Sequence, residues 1–233
     1  MIERLRPLPS PADLRLIAFD LDGTLIDSRA DLVASVNATL EHLGRHPLPD
    51  AVIASYIGNG VQMLVRRALG DPEHEEIVTD AVSFFLAYYR LHKLDHTYVY
   101  EGALDAMTEI ARCMPHAKLA VLTNKPVRPS EEICEALHLA PHCFRIYGGN
   151  SFETKKPDPL GLETLMREAN ATPEQTLMVG DSDVDVLTAR NTGASVIGCR
   201  FGLAPHSLAD APPDCLVDHP SEWLEALGLP QNA

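Results

Sequence analysis

Two carboxylates separated by one residue, Asp20 and Asp22, are the first side chains whose types and spacing could do chemistry. They follow the apolar run Leu16–Phe19, which is typical of a strand buried on both faces of a parallel sheet. Acids this close repel each other unless a cation or a shared proton neutralises them. Gly23 directly behind them permits a sharp turn, because glycine adopts backbone angles closed to other residues. The pattern therefore predicts that Asp20 and Asp22 share a hard divalent cation, and their oxygen ligands favour Mg²⁺.

An acidic surface turn and a calcium-binding loop are the alternatives for the same residues. A bare Asp-x-Asp-Gly sequence fits a surface turn equally well. A calcium loop that starts at Asp20 requires glycine at its sixth position and glutamate at its twelfth, where this chain has Leu25 and Asp31. The buried strand before the acids, and the motifs further along the chain, disfavour both alternatives.

A hydroxyl, an amide and a lysine in the second half of the chain could hold an anion. Thr123 and Asn124 directly follow a predicted strand over residues 118–122, and the backbone N–H groups after Thr123 are donors for an oxyanion. Lys156, just before a proline, could supply positive charge to the same anion. Each has an ordinary alternative: a strand-end residue for Thr123, and a solvated side chain for Lys156, with Lys155 beside it as a competing candidate.

A second acidic stretch, residues 180–185, also follows a predicted strand. Asp181 at the strand end can complete the cation site of Asp20. Asp185 lies one helical turn further on, so both side chains can face the same point. The alternative is an acidic helix N-terminus favoured by the helix dipole, and that is how we interpret Asp183.

The elements that would position these groups alternate between strands and helices after about residue 103. Such alternation predicts an α/β fold with a doubly wound, mainly parallel sheet and helices on both faces. In these folds the functional site lies at the carboxyl ends of the strands, where all of the residues above are predicted to lie. The predicted helices cover residues 103–114, 129–139, 157–170, 183–191 and 221–227, and the predicted strands cover residues 118–122, 144–147, 176–179, 194–197 and 215–217.

Residues 28–95 show helical patterns and no strand signal, which predicts an inserted all-α cap domain. Residues 1–27 and 96–233 are then expected to form the α/β core domain. Within the core, residues 1–13 are predicted to be a short proline-rich lead-in without a helix.

The charge balance of the chain limits its partners. It carries 33 acidic and 19 basic residues, a formal net charge of −14, which disfavours nucleic acid and anionic membranes. A small anionic substrate would therefore need locally concentrated positive charge. Five dispersed cysteines without a CxxC pair indicate free thiols in a reducing compartment. There is no signal-peptide-like segment and no apolar run of membrane-spanning length, so we expect a cytoplasmic protein. The oligomeric state cannot be predicted from these patterns.

Four motifs in this order resemble the haloacid dehalogenase-like superfamily. They are DLDGT at residues 20–24, the hydrophobic strand that ends in Thr123, Lys156 before proline, and GDSDVD at residues 180–185. The resemblance extends over about residues 16–227. Each motif alone is a weak signal, but four in order on alternating elements are a strong one.

The resemblance implies a division of labour among the acids. Asp20 would attack phosphorus and form an aspartyl phosphate, while Asp22 would act first as general acid and then as general base. Mg²⁺ would be held by Asp20, Asp181 and the backbone carbonyl of Asp22, with Asp185 orienting the water molecules around the metal. Dehalogenase members lack the acid at Asp22, so its presence implies phosphoryl transfer. The phosphate group is expected to contact Thr123, Asn124 and Lys156.

Two stretches are similar to the phosphoglycolate phosphatases, YIGNGVQMLVRRAL at residues 56–69 and LTNKP at residues 122–126. The similarity implies hydrolysis of 2-phosphoglycolate or a similar small phosphate monoester. Asn59 and Gly60, at a helix start, could offer backbone N–H groups to the substrate. Arg67 is a candidate for binding a carboxylate, although it could equally lie on a solvated helix face.

Two further functions remain open on these residues. One is a sugar-phosphate phosphatase or a β-phosphoglucomutase-like enzyme, which would have to shield its aspartyl phosphate from water. The other is a non-catalytic protein that binds a phosphate ligand or serves regulation on the same fold. The intact set of chemical positions disfavours the second.

Overall fold

A computed structural model describes residues 1–230, so the last three residues of the predicted core domain lie outside the described part. Nine strands are present over this range: β1 Glu3–Arg4, β2 Leu16–Phe19, β3 Ile26–Asp27, β4 Tyr98–Val99, β5 Lys118–Leu122, β6 Arg145–Tyr147, β7 Thr176–Gly180, β8 Ser195–Cys199 and β9 Cys215–Val217. Seven of them form one sheet in the order β1-β9-β8-β7-β2-β5-β6. Every neighbouring pair is parallel except β1 with β9. The predicted doubly wound, mainly parallel sheet is therefore confirmed.

The central strand β2 explains why its sequence is an unbroken apolar run. Ile17 and Phe19 pack into the core on one face of the sheet, while Leu16 and Ala18 pack into the core on the other. All four side chains are fully buried. A strand covered by helices on both faces has no solvent side, so it shows no alternation of polar and apolar residues.

Helices cover both faces of the sheet and also form a separate layer. Within residues 29–92 four helices pack around their own apolar core, which includes Val36, Leu64 and Phe85, and we refer to them as the helical insert. The helical insert comprises α1 Arg29–His42, α2 Asp50–Ala54, α3 Val61–Ala68 and α4 Glu75–His92. The helices of the sheet layer are α5 Ala103–Cys113, α6 Val127–Ala136, α7 Leu160–Ala169, α8 Asp183–Thr192 and α9 Glu222–Ala226. None of these helices, within the described residues, has both the length and the apolar character needed to cross a bilayer.

The two connections between the sheet layer and the helical insert run side by side. Strands β3 and β4 pair antiparallel, with Ile26 opposite Val99. Asp31, which is buried in the first turn of α1, accepts hydrogen bonds from the backbone N–H of His96 at 3.0 Å and of Thr97 at 2.8 Å. One carboxylate thus ties the outgoing connection to the returning one.

Short elements differ from the sequence-based prediction. The proline-rich lead-in contains β1, whose two residues are too few to show a period of two. Strands β3 and β4 were missed for the same reason. Helix α7 begins at Leu160 instead of Pro157, and its N-cap residue is Pro159. The Asp158 side chain accepts the Leu160 N–H at 3.0 Å in the turn before the helix.

Candidate active site

The predicted site residues meet because of the strand order. Asp20 follows β2, Thr123 follows β5 and Asp181 follows β7. Strand β2 lies between β5 and β7, and the three strands run parallel. Their carboxyl ends therefore form one continuous edge, and the side chains that follow them are neighbours.

Three buried carboxylates form a cluster at this edge. Asp20, Asp181 and Asp185 each have an oxygen within 4.8 Å of the others, and their exposed fractions are 7%, 3% and 0%. Burial raises the pKa of Asp20 from 3.8 to about 6, and the Asp185 charge adds to this while Lys156 opposes it. Burial, followed by the charges of Asp185 and Asp20, raises the pKa of Asp181 well above its usual value. The burial of Asp20 therefore lowers the free energy of unfolding as the pH rises from 3.8 to about 6, and the loss is complete above that pH.

Lys156 is the buried counter-charge of this cluster. Its Nζ donates to Asp185 Oδ1 at 2.6 Å and lies 2.8 Å from Asp20 Oδ1. The contact with Asp20 is an ion pair without hydrogen-bond geometry, so the Oδ1 atom of Asp20 makes no hydrogen bond to the protein. Burial alone would lower the pKa of Lys156, but the two carboxylates raise it above its ordinary value. Lys156 pairs with two of the three buried acids, so the cluster has negative charge in excess, which a hard divalent cation would neutralise.

Asp185 has both carboxylate oxygens engaged by the protein. Oδ1 accepts from Lys156, and Oδ2 accepts from the backbone N–H and the hydroxyl of Ser182, at 3.2 and 2.8 Å. Ser182 is the N-cap of α8 and forms a capping box with Asp185. Asp183, which we interpreted as part of an acidic helix N-terminus, lies in the first turn of α8, directly after the N-cap residue Ser182.

Asp181 lies in a cradle that the sequence did not reveal. Its Oδ2 accepts the backbone N–H groups of Leu203 at 2.6 Å and Ala204 at 2.9 Å. A Cβ atom on either Gly23 or Gly202 would overlap the Asp181 side chain. Gly202 and the two N–H donors lie in one loop, and Gly23 lies in another. Together they fix the position of the Asp181 carboxylate next to Asp20.

Replacing Gly23 by alanine is expected to disturb Asp181 more than backbone strain alone explains. Gly23 and Gly44 both have positive φ, +86° and +66°, but the space around Gly44 is empty. Gly44→Ala therefore reports strain alone, about 1 kcal/mol. Gly23→Ala should lose a further 1–3 kcal/mol, roughly, from crowding. Urea unfolding of the two variants measures the difference, and equal losses would contradict the cradle.

The Asp22 carboxylate is bonded to residues outside the acid cluster. Its Oδ1 accepts from the Ser28 hydroxyl at 2.5 Å and from Lys125 Nζ at 2.8 Å, and its Oδ2 lies 3.1 Å from the same ammonium. Asp22 is therefore oriented independently of the cluster, although it lines the same pocket as Asp20. The contribution of Asp22 to a metal site through its backbone carbonyl stays a prediction.

Thr123 and Asn124 occupy different surroundings at the end of β5. Thr123 is buried, and its hydroxyl accepts the Lys125 N–H at 3.2 Å. The Asn124 side-chain amide donates to the carbonyls of Lys156 at 3.0 Å and Gly58 at 3.1 Å. Asn124 therefore bridges the sheet layer to the helical insert, and its amide nitrogen is already engaged.

The predicted residues of the insert are not all brought to the site. Gly60 lines the pocket above the strand ends, but Asn59 and Arg67 are not among its lining residues. The Arg67 guanidinium donates to the Asn59 side chain at 2.8 Å. The Asn59 carbonyl accepts from Lys155 at 2.7 Å, so Lys155 contacts the insert while Lys156 contacts the acids.

The pocket between the helical insert and the strand ends is mostly apolar. Sequence reasoning missed two of its polar residues, Lys125 and Tyr89. Lys125 directly follows Thr123-Asn124, and that position was the available signal. Tyr89 shares the apolar stripe of α4, so nothing in the sequence distinguished it from a core residue. The apolar wall consists of Leu32, Ile57, Val61, Leu64, Phe85, Leu86, Pro126 and Pro129.

Comparison with known proteins agrees with this geometry. Residues 17–199 match the family described as haloacid dehalogenase-like hydrolase. A protein of Chromobacterium violaceum named phosphoglycolate phosphatase is 38% identical over 85% of this chain and 90% of its own length. One of the same name from Vibrio cholerae is 34% identical over 92% and 97%, respectively. A crystal structure of a predicted phosphoglycolate phosphatase from Haemophilus somnus 129PT superposes with a TM-score of 0.84 at 28% identity, covering 91% of this chain and 97% of that one.

The family match spans the residues of all four motifs on which the resemblance was based, and the similarity to the first relative covers 85% of this chain. The relatives' shared name describes a phosphoric monoester hydrolase, and the chain is an enzyme of that type. With its parallel sheet, its helical insert and its buried acids at the strand ends, the chain belongs to the haloacid dehalogenase-like hydrolase family.

Proposed function

We propose that this enzyme is a Mg²⁺-dependent phosphatase that hydrolyses 2-phosphoglycolate to glycolate and phosphate through an aspartyl phosphate on Asp20. The observation that carries the proposal is the buried cluster of Asp20, Asp181 and Asp185 around Lys156, next to a pocket that holds a second, separate acid, Asp22. The relatives named phosphoglycolate phosphatase support the choice of substrate.

In this proposal Asp20 acts as the nucleophile. Its carboxylate lies at the tip of β2, beside the pocket, and Lys156 Nζ lies 2.8 Å from its Oδ1. Lys156 orients this carboxylate and offsets part of the charge on the phosphoryl oxygens. An Asp20 oxygen forms a bond to phosphorus as the bond from phosphorus to the ester oxygen breaks.

In this proposal Asp22 acts as the general acid and then as the general base. It lies two residues beyond the nucleophile, and Ser28 and Lys125 fix its orientation. In the first step it gives a proton to the departing ester oxygen. In the second step it takes a proton from the water that attacks phosphorus, and the Asp20 carboxylate is released with inorganic phosphate.

The acid cluster fits a hard divalent cation, since its excess negative charge is buried and every available ligand is oxygen. Asp20, Asp181 and the backbone carbonyl of Asp22 would hold Mg²⁺. When bound, the cation would reduce the repulsion between a carboxylate nucleophile and a phosphate dianion. Asp185 is already bonded to Lys156 and Ser182, and it would orient the water molecules around the metal and hold Lys156 in place.

Mg²⁺ binding is expected to weaken as the pH falls below about 6. The pKa of Asp20 is about 6, and that of Asp181 is also raised, so protons occupy the ligand oxygens at low pH. Each displaced proton lowers the affinity by up to about tenfold per pH unit. Calorimetric titration with Mg²⁺ between about pH 8 and about pH 5 measures the affinity at each pH. The control is Asp183→Asn, for which we expect the same dependence of affinity on pH as in the parent enzyme. An affinity that is constant over this range would contradict the assignment.

A panel of phosphomonoesters, with and without Mg²⁺, tests the proposed function. We expect inorganic phosphate to be released fastest from 2-phosphoglycolate, and EDTA to abolish the release. Isomerised product without free phosphate would instead identify a mutase. Binding of phosphate esters without any turnover would identify a non-catalytic protein.

A further inference from the structure

The pocket beside Asp22 contains a buried cation, Lys125, whose part in the proposed chemistry is limited to orienting Asp22. We infer that Lys125, together with the hydroxyl of Tyr89 from the helical insert, binds a carboxylate carried by the leaving group of the substrate. Lys125 then determines specificity. The inference rests on the proposed function and deepens it, because it names the part of the site that would distinguish an anionic ester from a neutral one.

The charge of the pocket favours this role. Among the described residues that line it, Lys125 is the one lysine or arginine, and it is only 6% exposed. The chain as a whole carries a formal charge of −14, so an anionic substrate gains little from the general surface. An ammonium group inside an apolar pocket acts at lower dielectric than one in water, and its attraction for an anion is correspondingly stronger.

The position of Lys125 relative to Asp22 points to the leaving group. The Lys125 ammonium lies 2.8 Å from the carboxylate that is placed to protonate the ester oxygen. A group bonded close to that oxygen must therefore lie near the ammonium. In 2-phosphoglycolate, one methylene separates the ester oxygen from the carboxylate. The phosphate of a bound molecule can therefore lie beside Asp20 and Lys156 while its carboxylate contacts Lys125.

Lys125 faces less carboxylate charge than Lys156. Lys156 pairs with two carboxylates, Asp20 and Asp185, whereas Lys125 pairs with Asp22 alone. Its remaining neighbour is Tyr89, whose ring centroid lies 4.7 Å from the ammonium and whose hydroxyl also interacts with it. An ammonium has three N–H donors. Asp22 Oδ1 and Oδ2, at 2.8 and 3.1 Å, engage two of them, and an additional carboxylate would engage the third.

Tyr89 provides an independent observation. Its side chain is 3% exposed and lines the same pocket. Its buried hydroxyl interacts with the Lys125 ammonium, which is not an acceptor, and makes no hydrogen bond of good geometry within the described residues. A buried hydroxyl without an acceptor is costly, and such groups are uncommon in folded proteins. A substrate carboxylate held by Lys125 would supply the missing acceptor. Because Tyr89 belongs to α4, the insert would then take part directly in substrate recognition.

Arg67 is the competing candidate from the sequence. Its guanidinium is bonded to Asn59 and does not line the pocket. A carboxylate bound there would lie away from Asp22 and the phosphate. The geometry therefore favours Lys125 over Arg67.

The experiment compares kcat/KM for 2-phosphoglycolate and for ethyl phosphate, in which a methyl group replaces the carboxylate. The parent enzyme should prefer 2-phosphoglycolate. Lys125→Met should lower this preference on the order of 100-fold, and Tyr89→Phe about tenfold, since each removes one bond to the carboxylate. Lys125→Arg should restore most of the preference because it keeps the charge. Lys125→Gln serves as the second charge-removing variant where Lys125→Met fails to fold.

The ratio of kcat/KM for the two substrates distinguishes binding of the substrate carboxylate by Lys125 from a role limited to orienting Asp22. A lysine that only orients Asp22 would slow both substrates equally, so an unchanged preference in Lys125→Met would overturn the inference while leaving the proposed function intact. A preference lost in Arg67→Gln and retained in Lys125→Met would assign recognition to the other cation and also overturn it. A parent enzyme without preference for 2-phosphoglycolate would overturn the proposed substrate itself, and the inference with it.

Discussion

Asp20→Asn is expected to lower kcat/KM for phosphate release on the order of 10⁴-fold or more, because an amide cannot replace the attacking carboxylate. The fold should survive this change. Burial raises the pKa of Asp20 to about 6, so its ionised form is unfavourable in the folded protein above that pH. Removing the charge should therefore leave the stability at pH 8 unchanged or increase it, even though one contact of Lys156 is lost.

The matched control for this prediction is Asp183→Asn. Asp183 belongs to the same acidic motif as Asp181, but it is absent from the buried cluster. Its replacement should change kcat/KM less than about threefold, since surface substitutions away from the site have small effects. Intact-mass measurement after rapid acid quench should detect a phosphorylated parent enzyme and an unmodified Asp20→Asn variant. Phosphate release by Asp20→Asn at the parent rate would remove Asp20 from the role of nucleophile.

Lys156→Met is expected to impair stability and activity together. The ammonium is the counter-charge of Asp20 and Asp185, and all three groups are buried. Removing one partner from such a cluster leaves uncompensated charge and costs about 3–5 kcal/mol. Loss of an electrostatic contact to the phosphoryl group should also lower kcat by roughly 10²–10³-fold. Urea unfolding without Mg²⁺ at neutral pH measures the first effect, and phosphate release measures the second.

Lys155→Met is the control for this variant. Lys155 is adjacent in sequence but exposed, and its Nζ contacts the Asn59 carbonyl of the helical insert. Its loss should cost less than about 1 kcal/mol, as expected for a hydrogen bond at the surface. If Lys155→Met and Lys156→Met were equally destabilising, the charge cluster would not be the source of the stability.

The sequence predicted the central part of the site because that part depends on local rules. An apolar run such as Leu16–Phe19 identifies a buried parallel strand, and polar residues directly after such strands meet at one edge of the sheet. Asp20, Thr123 and Asp181 follow this rule, and they lie where the pattern predicted. The strand order then brings them together without any further information from the sequence.

The remaining features depend on contacts between distant parts of the chain. The packing of the helical insert over the strand ends decides whether a lysine enters the pocket. The spacing of apolar residues along the sequence predicts helices and strands, but it does not predict how they pack against each other. Lys125 and Arg67 are both positively charged, so the sequence alone could not show which of them enters the pocket. In the structure Lys125 lines the pocket and Arg67 is bonded to Asn59. Tyr89 was hidden for a different reason, since a tyrosine on an apolar stripe is normally a core residue.

The paired strands β3 and β4 restrict how the helical insert can move. Two backbones that cross side by side resist torsion more than one does, because twisting either backbone shears the hydrogen bonds between them. We expect bending across the pair to be the softer motion, about an axis near the carboxylate of Asp31, which is bonded to His96 and Thr97. A swing about this axis would carry Tyr89 away from Lys125 and return it along the same arc, so that reopening the pocket would preserve its alignment.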